Sequence, residues 1–139
     1  MDADYDAIRQ RVAASPYHRW MGAELVDLAP GLATMRLEIA EHHLNPWGIV
    51  HGGVLAGLLD SVCGLSLRTL LPPDRTHRTI QMSVTYLKGA GSGHLVGRGR
   101  AVNKGRSLGH ADGEVYDAAE RLLARATATF MTVPASSES

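Results

Sequence analysis

The spacing of apolar residues predicts a short helix followed by a β-hairpin at the start of the chain. Over residues 4–14, apolar residues recur every three or four positions, which is typical of an amphipathic helix. This helix is expected to end before Pro16, because the residue that precedes a proline is pushed out of the α region. Over residues 23–40, apolar and polar residues alternate on either side of an Ala29-Pro30-Gly31 turn, which predicts two antiparallel strands.

The longest apolar segment predicts a helix that is buried on nearly all sides. This segment covers residues 54–71, follows a loop over residues 41–50 and ends before two prolines. Asp60 and Arg68 interrupt it, and each would cost roughly 2.5 to 3.5 kcal/mol near the middle of a membrane-inserted helix. A buried helix is therefore favoured over a membrane span. In a chain of this size, such a helix must be covered by a sheet.

Four more strands are predicted in the second half of the chain. Two segments alternate clearly, with these residues on their apolar faces: Ile80, Met82, Val84 and Tyr86 in the first, and Ala124, Ala126, Ala128 and Phe130 in the second. Residues 94–103 and 107–116 predict two further strands, the first with Gly97, Gly99 and Ala101 on a face that a helix can approach closely. The order of elements predicts an α+β fold with a largely antiparallel sheet wrapped around one long central helix.

Composition and charge restrict the classes of function. The 139 residues include 14 Lys and Arg and 14 Asp and Glu, so no general attraction to nucleic acid or to an anionic membrane is expected. Cys63 is the single cysteine, and residues 1–4 do not resemble a secretory signal, so a cytoplasmic location is expected. We expect one domain over residues 1–134 and a disordered polar tail over residues 135–139.

Asp60 is the strongest candidate for a functional residue in the sequence. A carboxylate in the middle of an apolar segment is rarely buried unless it is paired with another group or has a functional role. Small residues share its predicted helical face: Gly53, Gly57, Cys63 and Gly64. Each glycine lowers helix stability by about 1 kcal/mol relative to alanine, so the pattern favours the close approach of a second helix or a ligand. A structural pairing of Asp60 with hydroxyl groups or an arginine explains the charge equally well.

The loop before the long helix offers hydrogen-bond donors for an oxyanion. His51, Gly52 and Gly53 lie at the predicted helix start, where the first backbone N–H groups have no partner within the helix and lie at the positive end of its dipole. The side-chain amide of Asn45 is a second possible donor. Acyl transfer needs a carboxylate near two such donors. An unusual backbone conformation at the helix start is the alternative explanation for the paired glycines.

Residues 45–60 resemble the motif of the hotdog-fold acyl-CoA thioesterases, in particular the phenylacetate-pathway (PaaI-like) type. Their sequence, Asn-Pro-Trp-Gly-Ile-Val-His-Gly-Gly-Val-Leu-Ala-Gly-Leu-Leu-Asp, is similar to the family's Asn-x-x-Gly-x-x-His-Gly-Gly followed by an acidic residue nine positions after the histidine. Residues 79–87 resemble the family's strand after the helix, and residues 124–130 resemble its last strand. The resemblance covers nearly the whole chain and implies a hotdog fold.

This resemblance implies a role for each residue of the motif. Asp60 corresponds to the catalytic carboxylate, which acts as a general base on water or as a nucleophile. The Gly52 N–H would polarise the thioester carbonyl, and Asn45 would hold the carbonyl or the attacking water. His51 would orient the loop, and Thr79 would position water. No cofactor is implied.

A local cluster of cations is suited to the phosphates of coenzyme A. Within nine residues the chain has four cations and no acid: Arg98, Arg100, Lys104 and Arg106. Lys104 and Arg106, with the neighbouring Ser107, are the better phosphate ligands, whereas a solvated strand face explains the first two arginines equally well. Two further substrate contacts are expected, from Gly53 and Trp47. Trp47 would contact an apolar acyl or aryl group of the substrate.

The resemblance also implies a homodimer or homotetramer, with each site built at a dimer interface and acyl-CoA as the substrate. Two alternatives use the same scaffold: a non-catalytic acyl-CoA binding or sensing protein, and a hydratase or dehydratase. The presence of Asp60 together with Asn45 favours hydrolysis. No metal is expected, because no Cys or His pair has the spacing of structural zinc ligands. The sequence does not specify the acyl group.

Overall fold

The computed structural model describes residues 2–135, and its elements follow the predicted order except for one additional helix, α2. The helices are α1 (Tyr5–Ala14), α2 (Pro16–Met21) and α3 (Gly52–Arg68). The strands are β1 (Glu24–Ala29), β2 (Leu32–Glu38), β3 (Arg75–Tyr86), β4 (His94–Lys104), β5 (Leu108–Tyr116) and β6 (Leu122–Pro134). A short 3₁₀ turn, Glu41–His43, lies in the loop before α3.

The six strands form one antiparallel sheet in the order β1-β2-β4-β5-β6-β3, and α3 packs against it. Small residues of β4 allow this approach. A Cβ added at Gly97 would lie 2.9 Å from the Leu58 side chain, and one at Gly99 would overlap the backbone of Val62. The predicted layout of an antiparallel sheet around one long helix is confirmed.

The core lies between α3 and the sheet. Its largest fully buried apolar side chains come from both layers and from α2: Leu58, Leu59, Val62 and Leu67 from α3, Met21 from α2, and Met35, Leu37, Leu95, Val115, Leu123 and Phe130 from the strands. Full burial of one such side chain contributes about 1.5 to 3 kcal/mol. Since α3 is anchored along its whole length, its polar residues are held in fixed positions.

A β-bulge in β3 reverses the predicted face of Ile80. Alternation predicts Ile80 on the apolar face with Met82, but its side chain is 52% exposed. The register between β3 and β6 shifts between Thr79 and Gln81, because a bulge inserts one extra residue and reverses the alternation across it. Thr79 consequently faces α3 on the same side as Met82.

The sequence prediction missed α2 altogether. Ser15 is the N-cap of this helix, and its Oγ accepts a hydrogen bond from the backbone N–H of His18 at 3.4 Å. Pro16 occupies the first helical position, where a missing N–H has no consequence. The Ser-Pro pair that was expected only to end the first helix therefore also starts a second one, which carries Tyr17 and His18 to α3.

The predicted disordered tail falls almost entirely outside the described residues. Its first residue, Ala135, donates its backbone N–H to the carbonyl of Asp74 at 2.8 Å, and residues 136–139 are not among those described. Among residues 2–135, no helix combines the length and the apolar character that a membrane span requires.

Candidate active site

Asp60 lies on the face of α3 that borders a cleft, and Thr79 holds its carboxylate. The Thr79 hydroxyl donates a hydrogen bond of 2.7 Å from Oγ1 to Asp60 Oδ1. The bulge of β3 makes this contact possible, because it turns Thr79 toward the helix. Asp60 is half-buried. Its carboxylate is therefore both oriented by the protein and open to a ligand.

Two glycines on the Asp60 face let aromatic side chains lie against α3. A Cβ at Gly57, one turn before Asp60, would overlap the Tyr17 hydroxyl of α2. A Cβ at Gly64, one turn after Asp60, would overlap the His77 imidazole of β3. The close approach that the glycines predict is thus made on both sides of Asp60 by single side chains.

Cys63 does not line the cleft, although the helical spacing predicted that it shares the Asp60 face. It is fully buried against β5, where a Cβ at Gly113 would lie 2.8 Å from its sulfur. Burial raises the pKa of the Cys63 thiol to about 12, and the negative charges of Asp60 and Asp112 contribute to this rise. Because the thiolate is the reactive form, Cys63 is inert at neutral pH.

Hydrogen bonds within the loop before α3 decide which donors it offers. His51 is the N-cap of α3, and its Nδ1 accepts the Gly53 N–H at 2.7 Å. Asn45 Oδ1 accepts the N–H groups of Trp47 and Ile49 at 2.9 and 3.3 Å. In residues 2–135, the Gly52 N–H and the Asn45 Nδ2 make no hydrogen bond. The expected donors at Gly52 and Asn45 are therefore available, whereas the Gly53 N–H is occupied.

The Gly52 N–H and the Asp60 carboxylate of one chain cannot act on the same carbonyl. The two residues are eight positions apart on one continuous helix, which places them about 12 Å apart along its axis. A donor and a base that share a reacting group must each lie about 3 Å from it. One chain therefore contains two separate halves of the predicted site.

The tip of the loop between Asn45 and Gly52 is apolar and exposed. Trp47 is 83% exposed and Ile49 is 42% exposed. Gly48 between them has φ 81°, a left-handed conformation that glycine adopts without strain. A large exposed apolar surface of this kind is typical of a region that another molecule covers.

The predicted phosphate ligands lie around the exposed turn between β4 and β5. Lys104, Arg106 and Ser107 are all exposed there, and in the described part of the chain neither cation makes an ion pair. Arg98 instead lies 5.2 Å from the centre of a tyrosine ring, and Arg100 pairs with an aspartate of β5 at 3.3 Å. Lys104 and Arg106 thus stay predicted phosphate ligands.

A cleft of about 500 Å³ opens beside Asp60, between α1, α2, α3 and the start of β3. Near Asp60 its wall includes the side chains of Tyr17, His18 and Ser61. His18 Nε2 lies 2.8 Å from Ser61 Oγ, and the Ser61 hydroxyl lies 2.9 Å from the Gly57 carbonyl, to which it donates. His18 Nε2 is therefore the donor to Ser61. Burial lowers the pKa of His18, and the charge of Asp60 opposes this shift.

Comparison with known proteins identifies the family. Residues 48–124, more than half of the chain, match the model of the Thioesterase superfamily. Human acyl-coenzyme A thioesterase 13 is 29% identical over 107 residues, which cover 74% of this chain and 74% of that protein. The 1,4-dihydroxy-2-naphthoyl-CoA hydrolase of Listeria monocytogenes is 25% identical over 103 residues, which cover 74% of this chain and 84% of that protein.

A solved structure shows the same architecture. A mutant of the phenylacetic acid degradation protein PaaI from Thermus thermophilus superimposes with a TM-score of 0.77 at 29% identity, over 84% of this chain and 98% of that chain. The matched residues of the family model include α3 and strands β3 to β5. The predicted hotdog fold and PaaI-like resemblance are confirmed. The chain belongs to the Thioesterase superfamily and is a thioester hydrolase.

Proposed function

We propose that this protein hydrolyses an acyl-CoA or aryl-CoA thioester to the free acid and coenzyme A, with Asp60 as the catalytic carboxylate. The 2.7 Å hydrogen bond from Thr79 to Asp60, at the edge of a cleft, carries this proposal. A thioester is already activated. The enzyme needs only to orient water, remove its proton and stabilise the tetrahedral oxyanion, which one carboxylate and two donors accomplish.

A second copy of the chain completes the site. Since Gly52 and Asp60 are about 12 Å apart along one helix, the Gly52 N–H of one subunit works with Asp60 of the other. The edge strand β3 supports this arrangement, because it has twelve residues, no neighbouring strand on its outer side within residues 2–135, and exposed Ile80 and Tyr86 side chains. Each copy forms one hotdog domain over residues 1–134, and a two-fold dimer has two equivalent sites.

The geometry supports two routes to the same products. As a general base, Asp60 takes the proton of a water that attacks the thioester carbonyl, and Thr79 holds both the carboxylate and the water. As a nucleophile, Asp60 attacks the carbonyl and forms a mixed anhydride, which water then hydrolyses. In both routes the Gly52 N–H and Asn45 Nδ2 stabilise the oxyanion, and the coenzyme A thiolate leaves.

The exposed turn between β4 and β5 binds the coenzyme A moiety. Lys104 and Arg106 supply charge-assisted hydrogen bonds to its phosphates, and the Ser107 hydroxyl supplies a neutral one. The protein as a whole has no net charge. The local positive charge of Lys104 and Arg106 therefore attracts the anionic substrate to this turn.

Release of free thiol from a panel of acyl-CoA and aryl-CoA esters tests the proposal. We expect the purified protein to release coenzyme A and the free acid in equal amounts from at least one ester. Cys63 does not disturb this assay in the folded protein, since its thiol is buried and protonated at neutral pH. Binding of the esters without release of thiol would contradict the proposal and support the non-catalytic binding protein.

A further inference from the structure

Gly57 is the point at which α2 contacts α3, one turn before Asp60. A Cβ at Gly57 would overlap the Tyr17 hydroxyl and would lie 3.0 Å from Met21 Cε. Tyr17 and Met21 are four residues apart on α2 and therefore share one face of this helix. Since Met21 is fully buried, it anchors α2 and fixes the Tyr17 hydroxyl against α3.

Tyr17 has a hydrogen-bond donor that its polar neighbours in the cleft have already used. The Ser61 hydroxyl donates to the Gly57 carbonyl, and His18 Nε2 donates to Ser61. Burial lowers the pKa of His18, so its buried Nδ1, which has no hydrogen-bond partner in residues 2–135, carries no proton at neutral pH. Within the same residues the Tyr17 hydroxyl makes no hydrogen bond. Of these three side chains, Tyr17 therefore supplies the donor that a ligand or water can accept.

The separation of Tyr17 from Asp60 leaves room for one water molecule. The Tyr17 hydroxyl lies where a Cβ on Gly57 would be, and Cβ atoms three positions apart on a helix are about 5 to 6 Å apart. Two hydrogen bonds through one water span about 5.5 Å between the outer oxygens. Burial raises the pKa of Tyr17, and the charge of Asp60 raises it further, so the phenol keeps its proton within range of the carboxylate.

We propose that Tyr17 is a further catalytic residue, whose hydroxyl donates a hydrogen bond to the water that attacks the thioester. This inference rests on the proposed function in its general-base route. The water donates one hydrogen to the Asp60 carboxylate and the other to Thr79 Oγ1, and one of its two lone pairs accepts the Tyr17 hydroxyl. The second lone pair is then the one that faces the carbonyl carbon.

The Tyr17 hydroxyl orients the water but takes no part in the exchange of bonds. The second lone pair of the water forms the bond to the carbonyl carbon, a water proton passes to Asp60, and the carbonyl electron pair moves to the oxygen held by the Gly52 N–H. The intermediate then expels the coenzyme A thiolate, and Asp60 releases its proton to solvent. Without Tyr17 the water is held only at its hydrogens, and either lone pair can face the ester. Loss of the hydroxyl is therefore expected to lower kcat and to leave substrate binding unchanged.

Tyr17→Phe tests this role, because it removes the hydroxyl and keeps the ring that stacks on Trp20. We expect kcat for thiol release to fall about tenfold. The Kd of a non-hydrolysable thioether analogue of the same ester, measured by calorimetry, should stay within about twofold of the wild-type value. Tyr116→Phe is the matched control, since it removes a hydroxyl on β5 beside Arg98 and should change neither quantity. A wild-type kcat in Tyr17→Phe, or a loss of affinity as large as the loss of kcat, would overturn the inference.

A crystal structure of the wild type with the thioether analogue shows directly what the Tyr17 hydroxyl contacts. A water within hydrogen-bond distance of both the Tyr17 hydroxyl and the Asp60 carboxylate would support the inference. A Tyr17 hydroxyl that donates to the analogue itself would overturn it. Failure of the proposed function is a separate outcome, because the wild type would then release thiol from no ester, and the inference would fall with it.

Discussion

Replacement of Asp60 by asparagine is expected to lower kcat for thioester hydrolysis by at least about a hundredfold. Asparagine has the size of aspartate, and its amide oxygen can still accept the Thr79 hydrogen bond, which is 2.7 Å long in the wild type. The fold and the geometry of the side chain are therefore retained. The amide cannot take a proton from water, and it cannot attack a carbonyl. The measurement is the rate of free-thiol release at saturating ester, with wild type and variant purified in parallel.

Asp112→Asn is the control for the loss of a negative charge. Asp112 lies on β5 and pairs with Arg100 at 3.3 Å through exposed side chains, and an exposed pair of this kind contributes about 0 to 1 kcal/mol to stability. Its replacement should leave kcat within about twofold of the wild type, because it lies outside the proposed site. A wild-type kcat in Asp60→Asn would show that the catalytic carboxylate has been wrongly assigned.

Removal of the Gly52 N–H is expected to lower kcat by about a hundredfold to a thousandfold, the effect of losing one oxyanion donor. Gly52→Pro removes this N–H at the first helical position, which proline accepts readily. The preceding residue, His51, has φ −60° and ψ 137°, the extended conformation that proline requires before it. The start of α3 is therefore retained. The same thiol-release assay measures the effect.

Gly52→Ala is the control for crowding at this position. A Cβ at Gly52 lies 3.2 Å from the ring of Tyr86, whose hydroxyl donates to the Gly52 carbonyl at 2.8 Å. Alanine and proline both introduce this contact, but alanine keeps the N–H. A much larger loss of kcat in the proline variant would identify the N–H as the cause. Equal losses in both variants would assign the effect to the displaced tyrosine and contradict the oxyanion role.

Most of the fold could be predicted because its signals are local. Alternation over residues 23–40 correctly predicted a strand with one apolar face at β2, where Met35 and Leu37 are fully buried, and the apolar run of α3 correctly indicated a helix covered by a sheet. The Ser15-Pro16 pair also contained the signal for α2, since serine is a common N-cap and proline is common at the first helical position. That signal was missed because proline was considered only as the end of a helix.

The site could be predicted only in part, because part of it depends on contacts between distant segments. Asp60 is visible in the sequence as a charge within an apolar segment, and the motif resemblance indicated Gly52. Tyr17 could not be found this way, since its contact with Gly57 depends on where α2 crosses α3. The face of Thr79 depends on a bulge that arises in the pairing of β3 with β6, which the alternation of β3 alone does not contain.

The most direct test of this account is whether Asp60 of one subunit works with Gly52 of the other. Asp60→Asn and Gly52→Pro chains, co-expressed in equal amounts, would form mixed dimers in which one site carries both substitutions and the other carries neither. Since about half of the dimers are mixed and each has one intact site of two, we expect about a quarter of the wild-type kcat per site. Activity no higher than that of the separately purified variants would contradict a site shared between subunits.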